Sequence, residues 1–532
     1  MKNYLIKIGL VLGATGLIFS SCSKQSFDDL YRDPSKAEET TVDKQYAGLT
    51  YAMRELVVPS YWNYFVILRT TNLRYLQMVG WANEPNQLVP GAAATQDRWR
   101  MFYEGLAQFR AFEAVYNAAP TVEQQERRVF YLTAKIFFYD QTQQVVDLHG
   151  DIPWSKAGML NANGGNYLAS YAAYDNAVDI YRTMLDDLKV ISSELNALSL
   201  TQKVTNNFVT QDIINRGDVT LWKKYCNSLR LRMLMRVSKS SEFSSRAQQE
   251  IAEIVNNPTT NPLVLSNAEN IQIDIFDNTN PAIHSRGFRD GLESPGWYSN
   301  IASKVMIDNM NTNSDPRRRY MFEPGVGAPA GTYIGLDQSL TSGVQGQQMA
   351  GTTGQASQLA IYNRSTYSRN QNFPGILITA AEVNYLLAEH YLNVGNDASA
   401  RSAFENGIKE SMSMISSLRA ISNDNTVVAP SAITTEEVNS YLASIGWGSN
   451  NIQKIALQKW LHFNIIQPIE AWAENRRLDY PVFSFRVEAS DIQKEMPSRW
   501  NLPPSEAAYN TQNYEAVRST DNLNTKIFWD VN

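Results

Sequence analysis

Residues 215–238 read NRGDVTLWKKYCNSLRLRMLMRVS. Within them Trp222, Cys226, Leu229 and Met233 recur at steps of three and four, the spacing that lines one face of an α-helix. A helix is therefore expected over Val219 to Val237. Cys226 falls on its apolar stripe and reads as a buried small hydrophobe rather than a reactive thiol. Immediately upstream, Tyr174, Val178, Tyr181, Leu185 and Leu188 repeat the pattern, so Tyr174 to Leu198 supplies a partner and the two form a helix pair over 174–237.

The same periodicity extends in both directions. Phe102, Leu106, Phe109, Phe112 and Tyr116 mark one helix and Val129, Leu132, Ile136 and Tyr139 the next, a hairpin over 97–147 broken at Pro120. Downstream, 380–418 holds a third pair joined by Gly395-Asn396-Asp397, and 434–475 a fourth, drawn as Thr434 to Ser444 and Ile452 to Asn475. Four helical hairpins suggest a solenoid-like array in the manner of tetratricopeptide repeats, although neither the ~34-residue period nor the consensus of that repeat is visible. Between the second and third pairs, 256–373 is rich in Asn, Pro and Gly. A structureless loop of that length is unusual, so an irregular subdomain with short strands is expected there, carrying function. The tail from Glu488 onward, with Pro497, Pro503 and Pro504, reads as irregular too.

The 532 residues include 47 Lys plus Arg against 53 Asp plus Glu, for a net charge of -6. No run of like charge offers a basic surface, so nucleic acid is not an expected partner. The aromatic content, 27 Tyr and 11 Trp, supports a substantial core. At the N-terminus, Lys2 and Lys7 precede an apolar run from Ile8 to Phe19 that is shorter than the ~20 residues a spanning helix needs. The run ends in Ser20-Ser21-Cys22, which resembles a bacterial lipoprotein signal with Cys22 as the acylated residue; Phe19 departs from the usual Leu. The expected division is 1–21 signal peptide, 22–41 lipidated tether and 42–532 body.

Chemical signatures are sparse. The four histidines, His149, His284, His390 and His462, belong to no HExxH, and the nucleophile elbow, phosphate loop and dinucleotide fingerprint are absent. A two-carboxylate glycosidase needs a separation in space that sequence does not show. Asp308 to Asn313 alternates oxygen side chains but lacks the glycine and glutamate of a calcium loop. No metal, cofactor or catalytic residue is assigned. Aromatic residues outside the clear helices are more distinctive: Trp81 beside Asn83, Asn86 and Gln87, Trp297-Tyr298 after Pro295-Gly296, and Tyr333. A ring face with amides nearby suits a sugar, whose C–H face packs on the ring while its hydroxyls pair with donors and acceptors. These four residues are the ligand-binding candidates, with a local packing role as the competing reading.

Several segments together resemble the SusD/RagB-like lipoproteins of nutrient uptake. Residues 215–238 look like that family's GD-x-x-x-W-x-K-x-x-NSLRLR-x-x-x-R helix. DLHGDIPW (147–154) resembles its GD-x-P turn, Asp315-Pro316-Arg317 its DPR turn, and TAAEVNYLLAE (379–389) its AEV-x-FLLAEA helix. GIKESM (407–412), Gln458-Lys459-Trp460, Glu470-Ala471-Trp472 and Arg476-Arg477 match further elements. His390 and Cys226 stand where alanine is usual. The motif residues Trp222, Arg230, Arg232, Glu382, Arg476 and Arg477 read as scaffold that caps helices or forms buried ion pairs.

The resemblance implies a mainly α fold of tetratricopeptide-like helix pairs with a loop-rich, ligand-facing side. It also implies an outer-membrane, cell-surface lipoprotein that binds glycan without breaking bonds. The implied partner is a SusC-like TonB-dependent barrel, which the lipoprotein would cover as a lid. Peptide cargo is the alternative within that architecture. A lipid-anchored hydrolase and an adhesive surface protein are alternatives outside it.

Overall fold

The Asp218 carboxylate starts the helix Val219–Val237, accepting hydrogen bonds from the Thr220 and Leu221 amides at 2.7 and 3.1 Å. Gly217 ahead of it has φ +76, and a side chain there would meet the Val209 amide nitrogen at 2.7 Å, which accounts for the glycine. The computed structural model describes residues 40–275, 283–293, 300–351 and 354–532. The chain divides into a unit over 1–41 and one over 42–532, and the architecture below is that of the second.

Its longer helices are α1 (Val42–Met53), α2 (Ala92–Ala118), α3 (Arg128–His149), α4 (Ala177–Ala197), α5 (Gln202–Gln211), α6 (Val219–Val237), α7 (Ser244–Asn256), α8 (Lys304–Thr312), α9 (Ser342–Ala350), α10 (Ala380–Asn393), α11 (Asp397–Ala420), α12 (Thr435–Ile445), α13 (Asn451–Phe463) and α14 (Pro468–Leu478). Helix α2 packs on α1 and α3, α6 on α4 and α7, α10 on α11, and α13 on α14. Gly407 of α11 is part of this packing, since a methyl there would sit 2.5 Å from the Tyr385 ring of α10. Short strands complete the fold as three antiparallel pairs: β1 (Ile152–Pro153) with β2 (Tyr174–Asp175), β3 (Ile271–Ile273) with β6 (Gly375–Ile378), and β4 (Phe322–Glu323) with β5 (Ile361–Tyr362). The protein is thus mainly helical, with an irregular side carrying short strands.

Two sequence expectations change. The helix drawn from Ile452 to Asn475 is two helices: Asn464 takes φ +27, and Pro468, which has no N–H to donate, begins α14 where none is needed. Tyr174 belongs to β2 rather than to a helix, because Asn176 caps α4 by accepting from the Val178 amide at 2.9 Å.

The motif residues build a buried charge network that ties the helices together. Arg232 of α6 donates to Glu382 of α10 at 2.5 and 2.9 Å and to Asp140 of α3 at 3.1 Å. One turn on, Arg236 pairs with Asp147, Glu470 and Glu474. Arg477 grips Glu389 at 2.6 and 2.7 Å, and Lys459 bridges Glu389 and Glu474 at 3.0 and 2.6 Å. Arg230 pairs with Glu250, the Trp222 indole donates to Asp212 at 2.7 Å, and Arg476 donates to the carbonyls of Ser498 and Asp147. Each arginine and lysine here is buried with its charge met by carboxylates or carbonyls, the condition for keeping ions out of water.

A second buried cluster fastens the irregular side to this scaffold. Arg317 is held by Asp315 at 2.6 Å and donates to Ser411 of α11, Tyr441 of α12 and Gln458 of α13 at 2.8–2.9 Å. The DPR turn therefore locks the loop after α8 onto three helices.

Candidate functional site

Helix α8 presents two faces. Met306, Ile307 and Met310 are buried in a core shared with Tyr362, Trp460 and Trp472, whereas Lys304, Asp308 and Thr312, spaced by four, look outward. Ser303 caps the helix through the Met306 amide at 3.4 Å. Alongside runs the segment over 334–337, which turns at Gln338-Ser339 and is joined to it by Lys304 N–H to Leu336 O and Leu336 N–H to Ala302 O, both 2.9 Å. Opposite stands the chain leaving α14, Pro481 to Arg486. Between them lies an open cleft of about 460 Å³, lined by the outer face of α8, Asp337, Gln338, Ser339, Gln77, Val482, Phe483 and Ser484.

The far wall has no ladder of its own and is strung on buried amides. Asn475 donates to Pro481 O at 2.8 Å, Gln77 to Ser484 O at 2.6 Å and Gln87 to Arg486 O at 2.5 Å. Along it Val482, Ser484 and Arg486 are exposed, while Phe483 and Phe485 turn inward and are half-buried. The Phe483 ring lies 5.7 Å from that of Trp460.

Two carboxylates, Asp308 and Asp337, face one ammonium, Lys304, so the cleft is acidic. Lys304 contacts Asp308, and that hydrogen bond raises the ammonium pKa. Burial pushes the Asp337 carboxyl up, but hydrogen bonds from Ser339 and the charge of Lys304 outweigh it and hold the group below the usual carboxylate range. Lys304 and Asp337 thus keep their charges through neutral pH. Amides, hydroxyls and charged groups beside an aromatic edge are suited to binding a polyhydroxylated ligand. None of the four histidines lines the cleft: burial lowers His149 and His462 to about 3, and His390 lies on α10. Among the described residues no cluster of His, Cys, Asp and Glu could hold a metal ion.

The sequence candidates fare differently. Trp81 is only 7% exposed, so its face is closed to a sugar in this structure. Its indole N–H donates to Gln87 Oε1 at 2.8 Å, turning the Gln87 amide nitrogen toward Arg486 O, and its backbone makes a reciprocal pair with the Gln338 amide. Trp81 supports both walls from behind. Tyr333 is half-buried, with the Arg318 guanidinium 4.7 Å from its ring and its carbonyl accepting from Asn311 of α8 at 3.1 Å. Trp297, Tyr298 and Cys22 lie outside the described residues. Sequence reasoning passed over Phe483 and Val482, whose signal was the in–out alternation of Val482-Phe483-Ser484-Phe485 just after a helix. It also passed over Trp62, 55% exposed on the π-helical stretch Trp62–Leu68.

A family model described as SusD-like, starch-binding and associating with outer membrane, matches residues 69–503. The chain belongs to the SusD-like family. Solved structures of SusD-like proteins share its fold. A chitin-binding protein aligns at 21% identity and TM-score 0.72, over 92% of this chain and 100% of that one. A SusD homologue from Bacteroides fragilis gives 19% and 0.71 over 92% and 100%, and a chitin-binding SusD homologue from Flavobacterium johnsoniae 21% and 0.66 over 92% and 99%. At such identities the likeness is one of fold. No curated protein matches the chain. SusD-like proteins bind carbohydrate and are not enzymes, and the family associates with the outer membrane. Among the described residues no helix is long and apolar enough to cross a membrane.

Proposed function

We propose that this SusD-like protein is a cell-surface lipoprotein, anchored through Cys22, that captures oligosaccharide in the cleft between α8 and Val482–Ser484. It then delivers the glycan to a SusC-like TonB-dependent barrel, acting as its lid. The observation that carries the reading is the cleft itself: polar side chains from α8 and Asp337–Ser339 face the aromatic edge of Phe483, in a chain whose family is described as starch-binding. Delivery follows from differential affinity, since a ligand that binds the closed lid more tightly than the open one shifts the lid toward closure.

The test is calorimetric titration of the mature protein with soluble polysaccharides and with peptides, assaying the same samples for new reducing ends and new amino termini. Glycan heat without new ends, lost in Phe483→Ala and retained in Trp62→Ala, is the expected result. Peptide heat alone would replace the cargo class, new ends that scale with protein would make the chain a hydrolase, and loss in Trp62→Ala alone would move the site to the π-helical surface.

A further inference from the structure

A pocket of about 60 Å³ lies between the π-helical stretch Trp62–Leu68 and the start of α14, and shares no lining residue with the cleft. Ile67 and Leu68 line one side, residues 467–470 another, and Arg98 of α2 and Gln144 of α3 complete it. Its volume suits one small ion with a water and is too small for a sugar ring. Arg98 departs from the rule that Arg232, Arg236 and Arg477 obey. It is 1% exposed, yet among the described residues no carboxylate pairs with it: one guanidinium N–H goes to Gln144 Oε1 at 2.9 Å, and its Nε has no acceptor. We propose that this pocket binds a small monovalent anion of chloride size, held between the Arg98 guanidinium and the first amides of α14. The inference is independent of the glycan reading.

Three features support it. A buried guanidinium without a counter-ion is costly, and burial lowers the Arg98 pKa to about 10 against the opposing charge of Asp140; an anion in the pocket supplies the missing partner. Second, α14 starts without a side-chain cap. Pro468 has no N–H, so the Ile469 and Glu470 amides are the orphan donors of its first turn, at the end of the helix that favours negative charge. Third, little on the lining competes. Asn63 and Tyr64 donate away from it, to Glu55 O at 2.7 Å and Ile465 O at 2.8 Å. Glu470, the one acid there, is engaged by Arg236 and Gln143, and burial raises it to about 7, which lessens its repulsion of an anion near neutral pH. Gln467 spends its N–H on Leu377 O, and its unpartnered Oε1 can accept from a water beside the ion.

The experiment crystallises the mature protein in sodium bromide and locates bromide by its anomalous scattering. In parallel, Tm is measured from about 10 mM to about 1 M chloride, with methanesulfonate holding the ionic strength fixed. Bromide is expected within hydrogen-bond distance of the Arg98 guanidinium and of the Ile469 or Glu470 amide. Tm is expected to rise by about 1 °C for each tenfold increase in chloride beyond half-saturation. Arg98→Gln should flatten that rise; the bromide map of the wild type needs no variant, so misfolding of that one does not decide the matter. A water in the pocket with no anomalous signal overturns the site. So does a bromide peak with a Tm indifferent to chloride, which marks an adventitious ion only, and so does a chloride response that survives in Arg98→Gln.

Discussion

Glu470 is the group through which the buried charge network can be tested. Asp140, Asp147, Glu382, Glu389, Glu470 and Glu474 face Arg232, Arg236, Lys459 and Arg477, so the carboxylates outnumber the cations that pair with them. Glu389 and Glu474 each hold Lys459 and Arg477 together, and these cations overcome burial to draw Glu389 down to about 2 and Glu474 well below its ordinary value. Glu470 shares Arg236 with Asp147 and Glu474; burial dominates there, and its pKa rises from 4.5 to about 7. Between those values the folded protein keeps a proton that the unfolded chain has released, so stability falls as pH rises through this window and levels off above it. At about 1.4 kcal/mol per pH unit the interval removes about 3 kcal/mol. With an unfolding entropy of ~2 cal/mol/K per residue, a body of this size loses about 3 °C of Tm. Glu470→Gln fixes the neutral form and keeps a side-chain oxygen that can accept from Arg236. Melting curves of the two proteins should coincide within about 1 °C at pH 4 and separate to about 3 °C, the variant higher, at pH 8. A constant offset across that range, or a variant that melts below wild type at pH 8, would show that Glu470 is ionised in the fold and refute the reasoning.

Trp81→Phe keeps an aromatic ring but removes the donor to Gln87 Oε1 and leaves a small void where the larger indole was buried, at a local cost of about 1–3 kcal/mol; amide exchange over 480–487 should accelerate and glycan affinity fall, and unchanged exchange would count against a supporting role. Gly407→Ala puts a methyl 2.5 Å from the buried Tyr385 ring, so α10 and α11 must part at a cost of about 1–3 kcal/mol, seen as a Tm lower by a few degrees with ligand affinity unchanged. Cys22→Ala should release the protein from the membrane fraction, and retention there without acylation would defeat the anchor.

Helical periodicity was legible because each long helix buries a continuous stripe. Trp222, Leu229 and Met233 are fully buried, and the apolar positions of α2 and α3 are buried likewise. The break at Asn464 was not, because Phe463 and Ile465 keep an apolar rhythm while the backbone turns at a residue that periodicity treats as neutral. Trp81 stands out in sequence as a ring with amides beside it, and those amides are there, but they are taken: Gln87 accepts from the Trp81 indole, Asn83 donates to the Gln338 and Leu340 carbonyls and Asn86 accepts from the Ile492 amide, and a local sequence pattern cannot tell a polar group that is already paired from one that is free. The cleft itself draws on residues from 77 to 484, and only the fold brings Gln77 to Ser484.

The family motifs and the cleft occupy different residues, and one chain of contacts joins them. Arg317 of the DPR turn sits just beyond α8 and binds Ser411 of GIKESM and Gln458 of the QKW element. Asn475, between Glu474 and Arg476 of the charge network, donates to Pro481 at the root of the opposite wall. Each wall of the cleft is thereby fixed to the helical scaffold at one end, by a hydrogen bond or ion pair that involves no cleft-facing side chain of α8. The positions that would meet a ligand, Lys304, Asp308, Thr312, Asp337 and Val482, carry little of that scaffold: Lys304 and Asp308 pair with each other, and Val482 stands in solvent. If the cleft holds the ligand as proposed, substitution at these positions should alter binding at small cost to stability, with Tm within about 1 °C of wild type.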